Sequence, residues 1–172
     1  MTVYFSVDVE TSGLNPFMAE HQLLSVGAQA VDESGEWIGQ WYTPLANAGT
    51  WDDGTREWWM QQNDTAKAEI FDVVGADPTT AALWFVDWVS GLTDHAVFVA
   101  NPCTFDHSWV LRWLTECDQK MPFDYRTLCL RSADWGRNPG PWGLKRNGHV
   151  PTVPHHALHD AQAQAQDLVD LL

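Results

Sequence analysis

The chain has 172 residues, 45% of them apolar, and sets nine Lys and Arg against 23 Asp and Glu for a formal net charge of −14. That length supports one domain, residues 1–172, with no room for a second sizeable core, and the apolar content excludes a disordered chain. So acidic a surface repels phosphate backbones, so any nucleic-acid role requires metal ions or a local basic patch.

Val3–Gly13 is an apolar, β-branched run that predicts a buried first strand. Thr11 to Pro16 is turn-forming. Leu23–Asp32 predicts a second strand and Glu36–Thr43 a third, joined by short turns as an antiparallel meander. After a loop over Thr43–Asp53, helical signals take over. Thr55 caps a helix running to Gln62, and Thr65–Phe71 forms another. Pro78 sits at a first-turn position and opens a helix to Gly91, whose Trp84 and Trp88 are assigned to the core. Ala96–Ala100 predicts a fourth strand, ended by Asn101-Pro102-Cys103. Thr104 starts a helix that places Trp109, Trp113 and Leu114 in the core. Tyr125–Leu130 predicts a last short strand, and Gly136–Gly143 a loop. The final helix spans Ala157–Leu172, with Ala161, Ala165, Leu168 and Leu172 as its apolar stripe. The order is that of a mixed α/β domain.

Cys103, Cys117 and Cys129 form neither a C-x-x-C zinc pattern nor a complete disulfide set, and read as thiols in a reducing cytoplasm. No cleavable leader pattern follows Met1 and no stretch reaches membrane-spanning length, so a soluble cytoplasmic protein is expected.

The first strand carries an anomaly. Asp8 and Glu10 stand where the pattern calls for Val or Ile, and residues two apart on a strand face the same way. Two buried like charges need a cation, and a divalent metal is the hypothesis. A bare D-x-E is weak among 23 acids; its place at the end of a buried strand strengthens it. Asp106 follows the fourth strand in the first turn of a helix, where the dipole alone would favour an acid. Asp160 lies in the first turn of the last helix, close to its apolar face.

Taken together, these acids resemble the motifs of the DEDDh-type 3′–5′ exonucleases, the proofreading-exonuclease and RNase T kind. Val7 to Leu14 is similar to the first motif, Ala100 to Asp106 to the second, and His155 to Ala161 to the third. The resemblance spans nearly the whole chain. It implies an RNase H-like (exonuclease) fold, a mixed five-stranded sheet flanked by helices. It further implies two divalent cations, with Asp8, Glu10 and Asp160 holding one, and Asp8 bridging to a second that Asp106 reaches directly or through water. Hard oxygen ligands suit Mg²⁺ or Mn²⁺, and a metal pair about 3.5–4 Å apart supplies the activated water and charge neutralisation that phosphodiester hydrolysis needs. The cations would also answer the charge objection.

Two histidines could serve as the base, and His155 is the assignment. Spacing favours His156, four before Asp160 and on its helical face. The resemblance favours His155, five before Asp160. His159 reads as a solvated neighbour of Asp160.

The resemblance sets Leu14 and Phe105 beside the terminal bases, with plain core the alternative, and includes Asn101 among the substrate-facing residues. Adjacent Trp58 and Trp59 cannot both face inward, so one is a candidate for stacking on a base. The segment Arg56 to Gln62 is similar to one in small phage and actinobacterial exonucleases of this type. Arg131, Arg137, Lys145 and Arg146 are four of the nine basic residues, and stand either as solvated charges or as a phosphate-binding rim.

The expected activity is metal-dependent 3′–5′ hydrolysis of single-stranded DNA or RNA from 3′ ends, releasing nucleoside 5′-monophosphates. The alternatives are an oligoribonuclease-like enzyme restricted to short RNA, and a catalytically silent binding module. The 2′-OH contacts that separate RNA from DNA have no motif. The aromatic surplus is compatible with either core or a homodimer interface.

Overall fold

The first strand, β1, spans Thr2–Thr11 and is the centre of a five-stranded sheet ordered β3-β2-β1-β4-β5 in the computed structural model, which describes residues 1–47, 49–137 and 148–172. Strands β2 (Leu23–Asp32) and β3 (Trp37–Pro44) form the antiparallel meander, while β4 (His95–Ala100) and β5 (Leu128–Cys129) run parallel to β1. The expected mixed sheet is therefore present.

Strand alternation divides β1 between two layers. Val3, Phe5, Val7 and Val9 pack with Val26, Ala28 and Ala30 of β2 beneath α3 (Pro78–Leu92) and α4 (Cys103–Glu116). This is the main core. On the other face, α6 (Ala157–Val169) sets Ala165 and Leu168 against Val31, Val99 and Leu130, with Tyr4 alongside. Asp8 and Glu10 have the parity of that second face. Two short helices, α1 (Asp53–Trp59) and α2 (Asp64–Phe71), close the end of the sheet where a small cluster of Leu24, Trp59, Ala66 and Ile70 is buried.

Several expectations change. Asp52, not Thr55, caps α1: its carboxylate accepts from the Thr55 amide at 2.8 Å and from the Thr55 hydroxyl at 2.9 Å. The last strand has two residues rather than six, because Tyr125 is 90% exposed and Arg126 is tied to Asp124. Leu130–Arg137 forms a helix, α5, which no cap or long apolar period announced. Helix α6 ends at Val169, and Leu172 is exposed. Trp84 leaves the core altogether. The buried stripe of α3 is Ala81, Ala82, Phe85 and Val89; Trp88 flanks it against Phe5, while Trp84 lies about a quarter turn from Phe85 and points to solvent. Trp109 and Trp113 are core, as expected.

All three cysteines are free, Cys103 buried and the other two half-buried. Among the described residues no helix is long and apolar enough to cross a membrane.

Candidate active site

The acidic site begins where β1 outlives its neighbour. Strand β4 pairs with β1 only as far as Ser6, then turns away at Asn101-Pro102 into α4. Beyond that point the β4-side edge of β1 is open, and Asp106 fills it: its Oδ1 accepts the Val9 amide at 3.2 Å. A helix N-terminus beside an unpaired strand edge thus brings Asp106 to the D-x-E segment.

Asp160 arrives by a different device. Asp8 pairs with Gly27 across β1 and β2, so both have the same facing. A Cβ on Gly27 would come within 2.2–2.4 Å of the backbone of Ala157 and Leu158. Glycine is therefore what lets the start of α6 lie directly on the sheet beside Asp8. One helical turn later stands Asp160. Asp8, Glu10 and Asp160 each offer a carboxylate oxygen, all within 4.8 Å of one another. Asp106 is outside that tight trio.

The two histidines diverge. His155 lines the acidic cavity, and its backbone has φ 63°, a left-handed conformation uncommon for any residue with a Cβ. His156 is buried and turned from the acids, with its ring stacked on Tyr42 (centroids 4.5 Å) and on His159 (4.2 Å). Only its backbone reaches the site, donating to Asp160 Oδ2 at 3.1 Å. The helical spacing that favoured His156 fails because His156 is the N-cap of α6, outside the helix proper. His159 is not solvated either: it closes that ring stack.

The cavity over the acids has a volume of about 460 Å³ and takes Asn101, Phe105 and His155 into its wall. Adjoining it is a more apolar cavity of about 510 Å³ lined by Leu14, Trp58, Trp59 and Phe105. The two share Val9, Glu10 and Phe105. Leu14 is 74% exposed, so it is not core, and Phe105 is half-buried between the cavities. The tryptophan pair splits as expected. Trp59 is buried and anchors α1 to β1 through Nε1–H donated to the Thr11 carbonyl at 3.2 Å, whereas Trp58 faces outward against His155.

Burial dominates the electrostatics. It raises Asp8 well above the carboxylate range, with Asp106, Glu10 and Asp160 adding to the effect. Burial also raises Glu10, with help from Asp160 and Asp106. Asp106 is pushed up to about 8 by burial, against the pull of the Val9 amide, and Asp160 to about 6 by burial, opposed by the amides of His155 and His156. The charged groups acting on Asp8 and Glu10 are all acids. Such a set of hard oxygens, held together against its own repulsion, fits a divalent cation such as Mg²⁺ or Mn²⁺. Burial lowers His155, which favours its neutral, proton-accepting form.

Three residues at the site carried no motif. Gln164 donates Nε2–H to Asp8 Oδ1 at 2.7 Å. Asp167 accepts the His149 amide at 2.9 Å, and the His149 ring meets Asp170 at 2.9 Å. Gln164, Asp167 and His149 all line the acidic cavity. The spacing of Asp160, Gln164 and Asp167 along one helical face was legible, but polar residues on a helix ordinarily read as solvated. Neither described arginine of the possible basic rim lines the cavity. Arg137 binds the carbonyls of Leu171 (2.7 Å) and Asp170 (3.4 Å) beyond the end of α6, and Arg131 is exposed outside the cavity lining. Lys145 and Arg146 lie outside the described residues.

Residues 3–171 match the family of 3′–5′ exoribonuclease Rv2179c-like domains. No curated protein matches the sequence. Among solved structures, Escherichia coli Exonuclease I in complex with a dT13 oligonucleotide superposes with a TM-score of 0.73 at 12% identity, over 99% of this chain and 41% of that one. A second Exonuclease I structure gives 0.73 at 16% identity, again over 41% of its length. The Mg²⁺- and Mn²⁺-bound Pop2p of Schizosaccharomyces pombe gives 0.60 at 13% identity, over 98% of this chain and 82% of that one. The chain thus spans 41% of the length of these Exonuclease I structures, and the likeness is one of fold, the RNase H-like exonuclease fold.

Proposed function

The chain belongs to the family of 3′–5′ exoribonuclease Rv2179c-like domains, of the DEDDh exonuclease type, and on that footing we propose that residues 1–172 form a single catalytic domain that removes nucleotides from single-stranded 3′ ends with the help of divalent metal. The observation that carries this reading is the trio of Asp8, Glu10 and Asp160 oxygens within 4.8 Å of one another, in a cavity that also has His155 and Asp106 in its lining. The family description favours RNA as substrate. The Exonuclease I structures with single-stranded DNA oligonucleotides support the single-stranded form.

Asp8, Glu10 and Asp160 would hold one cation, and Asp8 together with Asp106 a second. When bound, Mg²⁺ or Mn²⁺ lowers the pKa of water and neutralises charge developing on the phosphoryl oxygens. The side chains do the rest. His155, neutral because of its burial, takes one proton from the attacking water. The bond between phosphorus and the 3′ oxygen of the preceding nucleotide breaks, and that oxygen leaves with a proton from solvent. The products are a shortened strand with a 3′-hydroxyl and a nucleoside 5′-monophosphate. Leu14, Trp58 and Phe105 offer apolar surface to the terminal base, and Asn101 a polar edge to the backbone. Trp59 supports that surface from behind rather than stacking on the base.

The test offers 5′-labelled single-stranded RNA and DNA in parallel, with Mn²⁺, Mg²⁺ or EDTA, to the wild type and to Asp8→Ala. A ladder of products shortened from the 3′ end, dependent on metal and lost in the variant, is expected. Cleavage that persists in EDTA, or in Asp8→Ala, overturns the reading. RNA oligomers of graded length separate a general exonuclease from one restricted to short RNA.

A further inference from the structure

Gln164 sits where α6 should carry an apolar residue. It lies one turn after Asp160, between Ala161 and Ala165 of the buried stripe, and is itself buried at 8% exposure. A buried amide costs stability unless it is hydrogen-bonded. The partner it finds is 156 residues away in sequence: Nε2 donates to Asp8 Oδ1 at 2.7 Å. With Asp8 ionised, as a metal ligand must be, the bond has this one sense, since an ionised carboxylate can only accept.

The surroundings of Asp8 give the contact its meaning. Three other acids, Asp106, Glu10 and Asp160, crowd Asp8 with like charge, and the side chain that donates to its carboxylate is the neutral Gln164 amide. A lysine or arginine there would also orient the carboxylate, but it would supply the positive charge that a cation must otherwise bring. A neutral donor orients without competing. Asp8 is also the acid that the two-cation reading requires to serve both ions, so its rotamer is the one with most to lose.

We infer that Gln164 is a positioning residue: its side-chain amide holds the Asp8 carboxylate in the orientation that meets Glu10 and Asp160, and leaves the site's negative charge free for a divalent cation. The inference rests on the metal site proposed above. It assigns Gln164 no contact with the reacting atoms.

The test is Gln164→Met, which keeps length and volume but removes the donor, with Gln164→Leu as a second variant. Mn²⁺ binding to the full chain is measured by titration calorimetry, kcat and KM on a single-stranded RNA oligomer, and Tm in EDTA. The expected result is Mn²⁺ affinity weaker by about tenfold to a hundredfold, the range for loss of a group that orients a metal ligand. kcat should fall with KM nearly unchanged, and Tm in EDTA should stay within a few degrees of wild type. Wild-type Mn²⁺ affinity and kcat in a folded Gln164→Met or Gln164→Leu chain overturn the positioning role while leaving the metal site standing. Absence of Mn²⁺ binding by the wild type itself overturns both. Were Gln164→Met to unfold, the same measurements on Gln164→Leu decide; if both unfold in EDTA, Gln164 is a structural residue and the inference fails.

Discussion

Trp58 meets His155 edge-to-face, with ring centroids 4.7 Å apart and planes at 78°. Trp58 also borders the apolar cavity, so one indole touches both the imidazole and the surface proposed for the terminal base. On the proposed function, that contact would link substrate seating to placement of the proton acceptor. Trp58→Ala should lower kcat about tenfold, or about 1.4 kcal/mol of transition-state stabilisation, and raise KM as well. Trp58→Phe, which keeps an aromatic edge, should restore most of kcat. Steady-state kinetics on a labelled RNA oligomer check both; an unchanged kcat and KM in Trp58→Ala would remove it from the site.

His155 and His156 should separate cleanly by mutation. His155→Ala is expected to lose about 10²- to 10⁴-fold in kcat, the ordinary worth of a general base, with little change in Tm. His156→Ala should do the opposite, because its ring is packed between Tyr42 and His159 and away from the acids. It should lower Tm and keep most of kcat when assayed below its melting transition. Parallel thermal melts and rate measurements decide the pair.

Stability should depend on pH in a metal-sensitive way. Asp106 and Asp160 have pKa values raised to about 8 and about 6 by burial, well above an unfolded carboxylate. Between the unfolded value near 4 and those raised values, the folded chain holds more protons than the unfolded one. Their contribution to stability is therefore full below about pH 4 and is lost as pH rises through about 6 to 8. In EDTA, Tm should drop between about pH 5 and 8. Saturating Mg²⁺ or Mn²⁺ should flatten that drop and release protons on binding, seen as a buffer-dependent heat in calorimetry. A Tm in EDTA that climbs over this range would contradict the buried, uncompensated acids.

Gly27→Val should dismantle the site without touching an acid. The added Cβ would meet the backbone of Ala157 and Leu158, which has no side-chain freedom with which to yield. Helix α6 would have to lift from β2 and carry Asp160 away from Asp8. A stability loss of about 1–3 kcal/mol is expected from such overpacking, together with loss of Mn²⁺ binding. Urea melts and metal titration measure the two effects separately.

Sequence and structure agree and part for identifiable reasons. Asp8 and Glu10 are conspicuous because a charge in a buried strand breaks a short, strict period. Asp106 and Asp160 stand out less, since an acid in the first turn of a helix is commonplace; it takes the order of all four along the chain to mark them. Trp84 departs from its expected place because a helix stripe read from two residues leaves its rotation open by a quarter turn. Helix α5 escapes notice because its eight residues are polar on average and Leu130 is its one buried side chain.

The sequence by itself determined the order of the strands and of the helices other than α5, and the convergence of Asp8 and Glu10 on one face; its motifs, by their resemblance to a known family, added Asp106, Asp160 and a histidine. The elements and the paired acids follow from local periodicity, and the remaining residues from their order along the chain. Only the tertiary structure decided which histidine faces the acids, that Trp58 stands against His155, that Gly27 admits α6 to the sheet, and that Gln164 grips Asp8. Each of these is a contact between segments far apart in the chain, set by how one element lies on another. A pattern within a single element holds no record of that.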